Sequence, residues 1–427
     1  MAAEPEVKQP ERPRLAEIMG PGLITGASDD DPSGIATYSQ VGAQFGYGLG
    51  WTLVVTFPLM AAIQEISARI GRVTGIGIAG NLARHYPRPL VGLVVALLIL
   101  ANVINIGADL GAMAAALKLL IGGPALAYVA LFAVISVLLE VFVRYSRYVS
   151  VLKYLTLSLL AYVATVFVVG TPWGEVARSI VLPPIQFSKD YILSITAVLG
   201  TTISPYLFFW QAEEEVEEEH EKPEKSPLID APEQAPSELS RIRLDTVVGM
   251  ALSNLVALFI VVTTAATLHA HGQTNIATSA QAAEALRPIA GPFAFVLFAA
   301  GIIGTGLLAM PVLAGSAAYA LGEAMGWTVG LAQRAGRAKG FYGALALATV
   351  IGAVMNFSPI DPIRALFWSA VINGIVSVPV MAIMMLMAQR RDIMGQFTLP
   401  PVLRTLGWLA TVVMGLTVLA LAWSSLT

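Results

Sequence analysis

The sequence predicts an all-α protein that crosses a membrane about eleven times, and its composition and segmentation support that fold class. Of its 427 residues, 56% are hydrophobic and only 12% are charged, whereas a soluble domain carries about 25% charged residues. The mean hydropathy is +0.73. Most apolar segments are long enough to span a bilayer as helices, at about 1.5 Å per residue. They cover residues 15–38, 46–70, 90–120, 124–143, 149–170, 190–212, 242–268, 288–323, 341–356, 361–388 and 402–425.

The distribution of Lys and Arg predicts the orientation of these segments. With the N-terminus in the cytoplasm, 20 of the 25 Lys and Arg residues fall on the cytoplasmic side, as the positive-inside rule requires. An odd number of spans then places the C-terminus outside. The polar tail 1–14 lacks the apolar core of a cleaved signal peptide, so we expect the first segment to remain as a membrane helix. The expected location is a prokaryotic plasma membrane.

The first apolar segment, 15–38, is interrupted at its centre by charged residues. Asp29, Asp30 and Asp31 lie there, followed directly by Pro32. Each carboxylate at bilayer depth costs about 2.5–3.5 kcal/mol on insertion scales, and the proline removes a backbone donor. We therefore expect a helix broken in mid-membrane, with freed carbonyl groups and at least one carboxylate facing a polar cavity. That combination is the chemistry of a cation site.

The sixth segment, 190–212, has a matching interruption. Gly200 and Pro205 break it among small hydroxyl residues, five segments after the first break. Two interrupted helices in corresponding positions indicate an inverted repeat with a binding site between them. The predicted organisation is a cytoplasmic tail at 1–14, a first repeat of helices 1–5 at 15–170, a second repeat of helices 6–10 at 190–388, and helix 11 at 402–425.

An acidic run at 213–219 follows the sixth segment and opens the predicted cytoplasmic linker 213–240. A polar, proline-rich stretch completes that linker. The composition favours a solvated extension of the helix followed by disordered chain. A vestibule that attracts cations is the alternative, because the acidic run directly follows the sixth segment and could line the inner mouth of a pathway.

Several motifs resemble the Nramp family of divalent metal transporters. They are GPG at 20–22, DPSGIAT at 31–37, GAQFGY at 42–47, QEISARIG at 64–71, ADL at 108–110 and GTTISP at 200–205. The resemblance implies the LeuT-type fold, which is a 5+5 inverted repeat with helices 1 and 6 broken. It also implies transport by alternating access about a metal site between those two helices.

By this resemblance, Asp31 matches the aspartate that binds metal in the family. Its alternative role is that of a carboxylate that caps a helix or pairs two helices at the break. Ser28 and Thr201 fall at the positions whose backbone carbonyls touch the metal. The hydroxyl groups available nearby include those of Ser33 and Ser204. We therefore expect an ion at this site to be held by Asp31, Ser28, Ser33, Thr201 and Ser204.

The departures from the family pattern bear on the choice of ion. Gly34 replaces the family's metal-ligating Asn, and Ser33 replaces its Gly. In the sixth helix Ser204 replaces Met, and Tyr206 replaces His. In the third helix the Glu of an acidic pair falls on Ala112.

Loss of the Met thioether leaves a site made only of oxygen donors, which suits Mg²⁺, Ca²⁺ or Mn²⁺. The smaller side chains at Gly34 and Ser204 suggest room for a partly hydrated ion, and Mg²⁺ is the ion that gives up water most reluctantly. The sequence thus looks like the Nramp-related magnesium transporter branch. That likeness implies passage of Mg²⁺ and Mn²⁺ without proton coupling, which also fits four histidines that all fall in predicted loops.

Further residues are candidates for the pathway rather than for the ion site itself. The alternative role for Asp109 is a structural ion pair. The alternative role for Asn373 is a hydrogen bond between helices. Asp29 and Asp30 could instead cap the unwound turn. The full set of pathway candidates is Asp29, Asp30, Gly34, Asp109, Tyr206 and Asn373.

Three other functions remain open at this stage. One is a proton-coupled Mn²⁺/Fe²⁺ importer of the Nramp type. The remote ones are an intramembrane enzyme with Asp31 and Asp109 as its catalytic pair, and a metal sensor that binds without transport. We expect a transporter and not an enzyme, with no cofactor. The expected partners are divalent metal ions and the lipid bilayer, not nucleic acid, and a monomer is the working expectation.

Overall fold

A computed structural model describes residues 21–143, 157–222 and 224–426, and no β-strand occurs within those ranges. Short 3₁₀ turns join some of the α-helices. The helices are α1 (Pro21–Asp29), α2 (Pro32–Phe45), α3 (Gly50–Thr74), α4 (Ile78–His85), α5 (Arg88–Ile121), α6 (Ala125–Phe142), α7 (Leu160–Val168), α8 (Trp173–Val181), α9 (Lys189–Thr202), α10 (Pro205–Glu221), α11 (Ala235–Thr267), α12 (Ser279–Glu284), α13 (Arg287–Ala290), α14 (Ala294–Met325), α15 (Lys339–Met355), α16 (Pro362–Ala388), α17 (Arg391–Met394) and α18 (Pro401–Leu426).

The all-helical, multi-pass fold class is confirmed. Within the described ranges, eight helical stretches are long and apolar enough to span a membrane, and the bent pair α7 and α8 would make a ninth. The sequence predicted about eleven. The difference arises because α2 and α3 form one stretch of 43 residues, α15 has only 17 residues, and the predicted segment 149–170 begins outside the described residues.

Both predicted breaks are present, and they have the same local cause. α1 is followed by α2, and α9 by α10, after two residues that are not helical. The residue before each proline has extended backbone, with φ −73° and ψ 171° at Asp31 and φ −87° and ψ 135° at Ser204. A proline ring clashes with a helical conformation in the residue before it. Pro32 and Pro205 then begin the next helix, where a missing N–H costs nothing.

Glycines bring the broken helices close to the helices that support them. A Cβ on Gly26 in α1 would overlap the backbone of Gly249 in α11. A Cβ on Gly200 in α9 would stand 2.5 Å from the backbone nitrogen of Gly374 in α16. Small residues permit this close approach of helices in membranes. The two breaks are therefore held in place by α11 and α16.

The linker 213–240 is ordered in the structure, and the prediction of disorder is wrong for its described residues. The guanidinium group of Arg72, at the end of α3, is fully buried. It donates to the Ser226 carbonyl at 2.5 Å and to Gln234 Oε1 at 2.8 Å. It also pairs with Glu219 at 3.2 Å and with Glu238 at 3.3 Å. The composition of the linker did not predict its order, because Arg72, the cation that pairs with its glutamates, lies in α3.

We predict that Arg72→Met will destabilise the chain, because it leaves the buried Glu219 without its cation and the Ser226 carbonyl without its donor. Breaking such a pair from one side costs about 3–5 kcal/mol, so the melting temperature in detergent should fall clearly. Arg390→Met is the matched control, since Arg390 pairs with Asp392 in an exposed position where ion pairs contribute little. Equal shifts for the two variants would show that Arg72 does not hold the linker.

Candidate functional site

Asp31 lies where the two broken helices meet, and its side chain is fully buried. Its Oδ1 accepts hydrogen bonds from the backbone N–H of Gly34 at 2.7 Å and from the Ser33 hydroxyl at 2.9 Å. The carboxylate therefore caps the start of α2. Its Oδ2 accepts a hydrogen bond from the Tyr206 hydroxyl at 3.0 Å. Because Tyr206 lies in the first turn of α10, this one carboxylate joins the two breaks.

The second break contributes hydroxyl and carbonyl oxygens. The Ser204 hydroxyl donates to the carbonyls of Gly200 at 2.7 Å and Thr201 at 3.0 Å. Its single hydrogen is engaged with the backbone, while its oxygen keeps lone pairs for another partner. The carbonyl of Thr201, one of the oxygens expected at the ion site, therefore accepts a hydrogen bond in this structure.

The space beside Gly34 is filled, although the sequence suggested that it would be roomy. A Cβ on Gly34 would lie 3.3 Å from Thr201 Oγ1, 3.3 Å from Tyr38 Cε2 and 3.5 Å from the carbonyl oxygen of Asp29. The two broken helices have closed around the glycine. Any extra room for a hydrated ion would require them to separate.

Asp29 and Asp30 are hydrogen-bonded to α11 through the Ser253 hydroxyl. The Ser253 hydroxyl lies 2.6 Å from Asp29 Oδ2 and 3.2 Å from Asp30 Oδ1. Ser28, in the last turn of α1, is also buried. Sequence analysis did not single out Ser253. The signal available was a polar pair, Ser253 and Asn254, inside the otherwise apolar stretch 247–262.

Asp109 in α5 and Asn373 in α16 are buried polar groups with open hydrogen-bonding capacity. Among the residues that the structure describes, neither carboxylate oxygen of Asp109 and neither amide atom of Asn373 has a hydrogen-bond partner. The ion pair considered for Asp109 and the interhelical hydrogen bond considered for Asn373 are therefore not seen there. A buried group without a partner costs about 1–3 kcal/mol, so both positions carry an energetic penalty in this conformation.

A cavity of about 270 Å³ approaches the junction from the side predicted to face outward. Its lining includes Ala36 and Gln40 from α2, and Asp190 and Ser194 from α9. Ala36 lies about one turn beyond the start of α2, so the cavity comes near Asp31 without exposing it. The loop after α11 closes one side, because Gln40 Oε1 accepts a hydrogen bond from the Ile276 N–H at 2.8 Å.

The described ranges contain no group of three or more His, Cys, Asp or Glu side chains that could hold a metal ion. An ion beside Asp31 would have one carboxylate together with neutral oxygens as its ligands. Such a donor set is weaker than that of a permanent metal site. It fits an ion that arrives and leaves with part of its water shell.

We predict that Tyr206→Phe will lower the stability of the metal-free chain. The change leaves Oδ2 of a buried Asp31 without its donor, which costs about 1–3 kcal/mol. The melting temperature without added metal is the measurement. Tyr128→Phe is the control, because the Tyr128 hydroxyl donates to the Gly122 carbonyl in an exposed position. If both variants have the same melting temperature as the parent chain, the hydrogen bond from Tyr206 to Asp31 contributes nothing to stability.

Comparison with known proteins shows which family the chain belongs to. The family model described as "Natural resistance-associated macrophage protein-like" (Nramp) matches residues 22–424. A relative from Pectobacterium carotovorum, named "Divalent metal cation transporter MntH", is 28% identical over 299 residues, which is 68% of each chain.

Two solved structures share the fold. The manganese transporter of Eremococcus coleocola superposes with a TM-score of 0.72 at 16% identity, over 96% of this chain and 88% of that one. Mhp1, a nucleobase-cation-symport-1 family transporter, gives a TM-score of 0.56 at 14% identity, over 95% and 93%. These matches agree with the LeuT-type architecture expected from the sequence. Because the family model covers nearly the whole chain, the protein belongs to the Nramp family of metal transporters and not to a family of enzymes.

Proposed function

We propose that the chain carries divalent metal ions across the membrane by alternating access, with Mg²⁺ as the preferred ion and Mn²⁺ also accepted. The observation that carries this proposal is the position of Asp31, whose one carboxylate contacts both broken helices. A cation that binds there touches both repeats at once. The printed name of the MntH relative, a divalent metal cation transporter, supports the same class of substrate.

The donor atoms around Asp31 support the choice of Mg²⁺. Ser33, Ser204 and Tyr206 offer hydroxyl groups, and the break at α9 offers backbone carbonyls. Hard cations such as Mg²⁺ and Mn²⁺ prefer oxygen ligands, whereas a thioether favours later transition metals. The family's Met position holds Ser204, which removes that soft ligand.

The hydrogen bond from Tyr206 suggests how binding and movement are linked. In the absence of an ion, the Tyr206 hydroxyl donates a hydrogen bond to the buried Asp31 carboxylate. A divalent cation satisfies that carboxylate better than a neutral hydroxyl does. Binding therefore displaces the hydroxyl and releases the direct bond between α2 and α10. The ion replaces that bond, and the two repeats can then rearrange around it.

We propose that this passage is not coupled to protons. The family's His position holds Tyr206, and the Glu position of its acidic pair holds Ala112. A specific observation favours the alternative, a proton-coupled Mn²⁺/Fe²⁺ importer. Asp109 is buried without a hydrogen-bond partner among the described residues, and such a carboxyl group could carry a proton. Substrate and coupling therefore have to be measured together.

The decisive experiment is Mg²⁺ uptake into proteoliposomes with a pH-sensitive dye inside. We expect saturable Mg²⁺ uptake without internal acidification beyond that of protein-free vesicles. Asp31→Ala should reduce uptake by about 100-fold, the effect of losing a charged contact worth about 3 kcal/mol. Asp392→Asn is the control, because Asp392 is exposed in the short helix α17 and pairs with Arg390.

Two results would contradict the proposal in different ways. An Asp31→Ala protein that moves metal as well as the parent would remove Asp31 from the ion site. Uptake of Mn²⁺ or Cd²⁺ with acidification and no Mg²⁺ uptake would favour the proton-coupled importer.

We predict that Ser204→Met will shift selectivity towards softer ions. The substitution places a thioether beside the carbonyls of Gly200 and Thr201, where the hydroxyl now lies. The ratio of Cd²⁺ to Mg²⁺ uptake should rise about tenfold, which corresponds to about 1.4 kcal/mol of preference. Ser204→Ala is the matched control, because it removes the hydroxyl without adding sulfur. If both variants change the ratio equally, the oxygen donor matters and the thioether does not.

A further inference from the structure

Two glutamates on neighbouring helices face each other well away from Asp31. Glu213 lies in α10 and Glu323 in α14. Glu213 follows Pro205 by eight residues, about 12 Å along the helix at 1.5 Å per residue. This end of α10 is the one that the charge distribution predicts to face the cytoplasm. The pair is therefore separate from the junction of the broken helices.

Glu323 is fixed by backbone donors at the start of α4. Its Oε1 accepts from the Gly77 N–H at 2.8 Å, and its Oε2 accepts from the Gly80 N–H at 2.8 Å. The unpaired N–H groups at a helix start favour a negative charge. This carboxylate is therefore held in one orientation and stabilised as an anion.

Glu213 faces that anion without a donor of its own. Its side chain is buried, and its Oε1 receives no hydrogen bond from any donor among the described residues. Its Oε1 and Glu323 Oε2 both lie within 2.6 Å of the position that a Cβ on Gly77 would take, so the two carboxyl groups are in contact. Two carboxylates at this separation cannot both be ionised unless a proton or a cation lies between them.

Gly77 allows the Glu213 carboxylate to lie directly against the backbone at the start of α4. A Cβ on Gly77 would overlap Glu213 Oε1 and would stand 2.6 Å from Glu323 Oε2. The backbone at Gly77 has φ −66° and ψ 177°, which any residue can adopt. The absence of a side chain here is thus a matter of space and not of backbone conformation.

Other glutamates of the acidic run have partners. Glu215 and Glu218 pair with Arg241, and Glu219 pairs with Arg72. Glu217 accepts a hydrogen bond from the Tyr319 hydroxyl at 2.7 Å. Within the described residues no ion pair to Lys, Arg or His within 4.0 Å is seen for Glu213 or Glu323, although Arg84 contributes a longer-range positive charge near Glu323.

We propose that Glu213 and Glu323 form a second, transient site for a divalent cation, on the route between Asp31 and the cytoplasm. The inference rests on the proposed function, because the ion is the one that Asp31 passes on. Both α10 and α14 contact α1, the helix that ends beside Asp31. Mg²⁺ usually keeps several waters and binds to proteins through only one or two carboxylates. Two acids therefore suffice, even though no group of three occurs in the described chain.

The test is Mn²⁺ binding to the purified full-length chain, measured by electron paramagnetic resonance. We expect two Mn²⁺ ions per parent chain and one per Asp31→Ala chain. Adding Glu213→Gln to Asp31→Ala should weaken the remaining site at least about tenfold. This variant keeps the bonds from Glu323 to α4 and removes a like charge, so its melting temperature should not fall.

A second variant tests the space rather than the charge. Gly77→Ala in the Asp31→Ala background should also weaken Mn²⁺ binding, because its Cβ would take the place of Glu213 Oε1 and push that carboxylate away from Glu323. Glu221→Gln is the control, since Glu221 is an exposed acid at the end of the same helix. It should leave Mn²⁺ binding unchanged.

The outcomes separate this inference from the proposed function. If the parent transports Mg²⁺ but Asp31→Ala binds no Mn²⁺, or binds it equally with and without Glu213→Gln, the second site is overturned and the transport proposal stands. If Glu213→Gln abolishes Mn²⁺ binding by Asp31→Ala but the parent transports no metal, the second site stands and the transport proposal fails.

Discussion

The structure depends on one buried carboxylate that accepts hydrogen bonds from both broken helices. Pro32 and Pro205 force the two interruptions, and each interruption leaves backbone groups that the membrane cannot satisfy. Asp31 satisfies part of that need, because its Oδ1 caps the start of α2. Its Oδ2 accepts a hydrogen bond from the Tyr206 hydroxyl. The broken helices would otherwise be costly at this depth. Part of that cost is offset at Asp31, which is also the point where the proposed cation would replace the hydroxyl.

The other buried acids differ in how they are satisfied, and this difference suggests separate roles. Asp29 and Asp30 share the Ser253 hydroxyl, so they are tied to α11. Asp109 has no hydrogen-bond partner among the described residues. A donor fixes a carboxylate in place, whereas a carboxylate without one is free to meet water, a proton or an ion. The first two acids therefore suit an anchoring role, and Asp109 suits a role in the pathway.

The features that sequence analysis predicted are those with a local cause. A proline and the residue before it determine a break whatever surrounds them, so the interruptions at Pro32 and Pro205 were found. The partners of the buried acids were not, because Ser253 lies more than two hundred residues from Asp29. The order of the linker was missed for the same reason, since Arg72 lies in a different helix. Contacts between distant residues leave little trace in local composition.

The space beside Gly34 shows why the preference for an ion cannot be read from side-chain sizes alone. A glycine in place of an asparagine removes volume, yet Thr201 and Tyr38 lie within contact distance of the place that a side chain would take. The volume available to a hydrated ion is therefore set by the distance between the two broken helices. Under the proposed mechanism, that distance depends on whether Tyr206 or a cation contacts the Asp31 carboxylate. The same contact would then control both selectivity for a hydrated ion and the change of conformation.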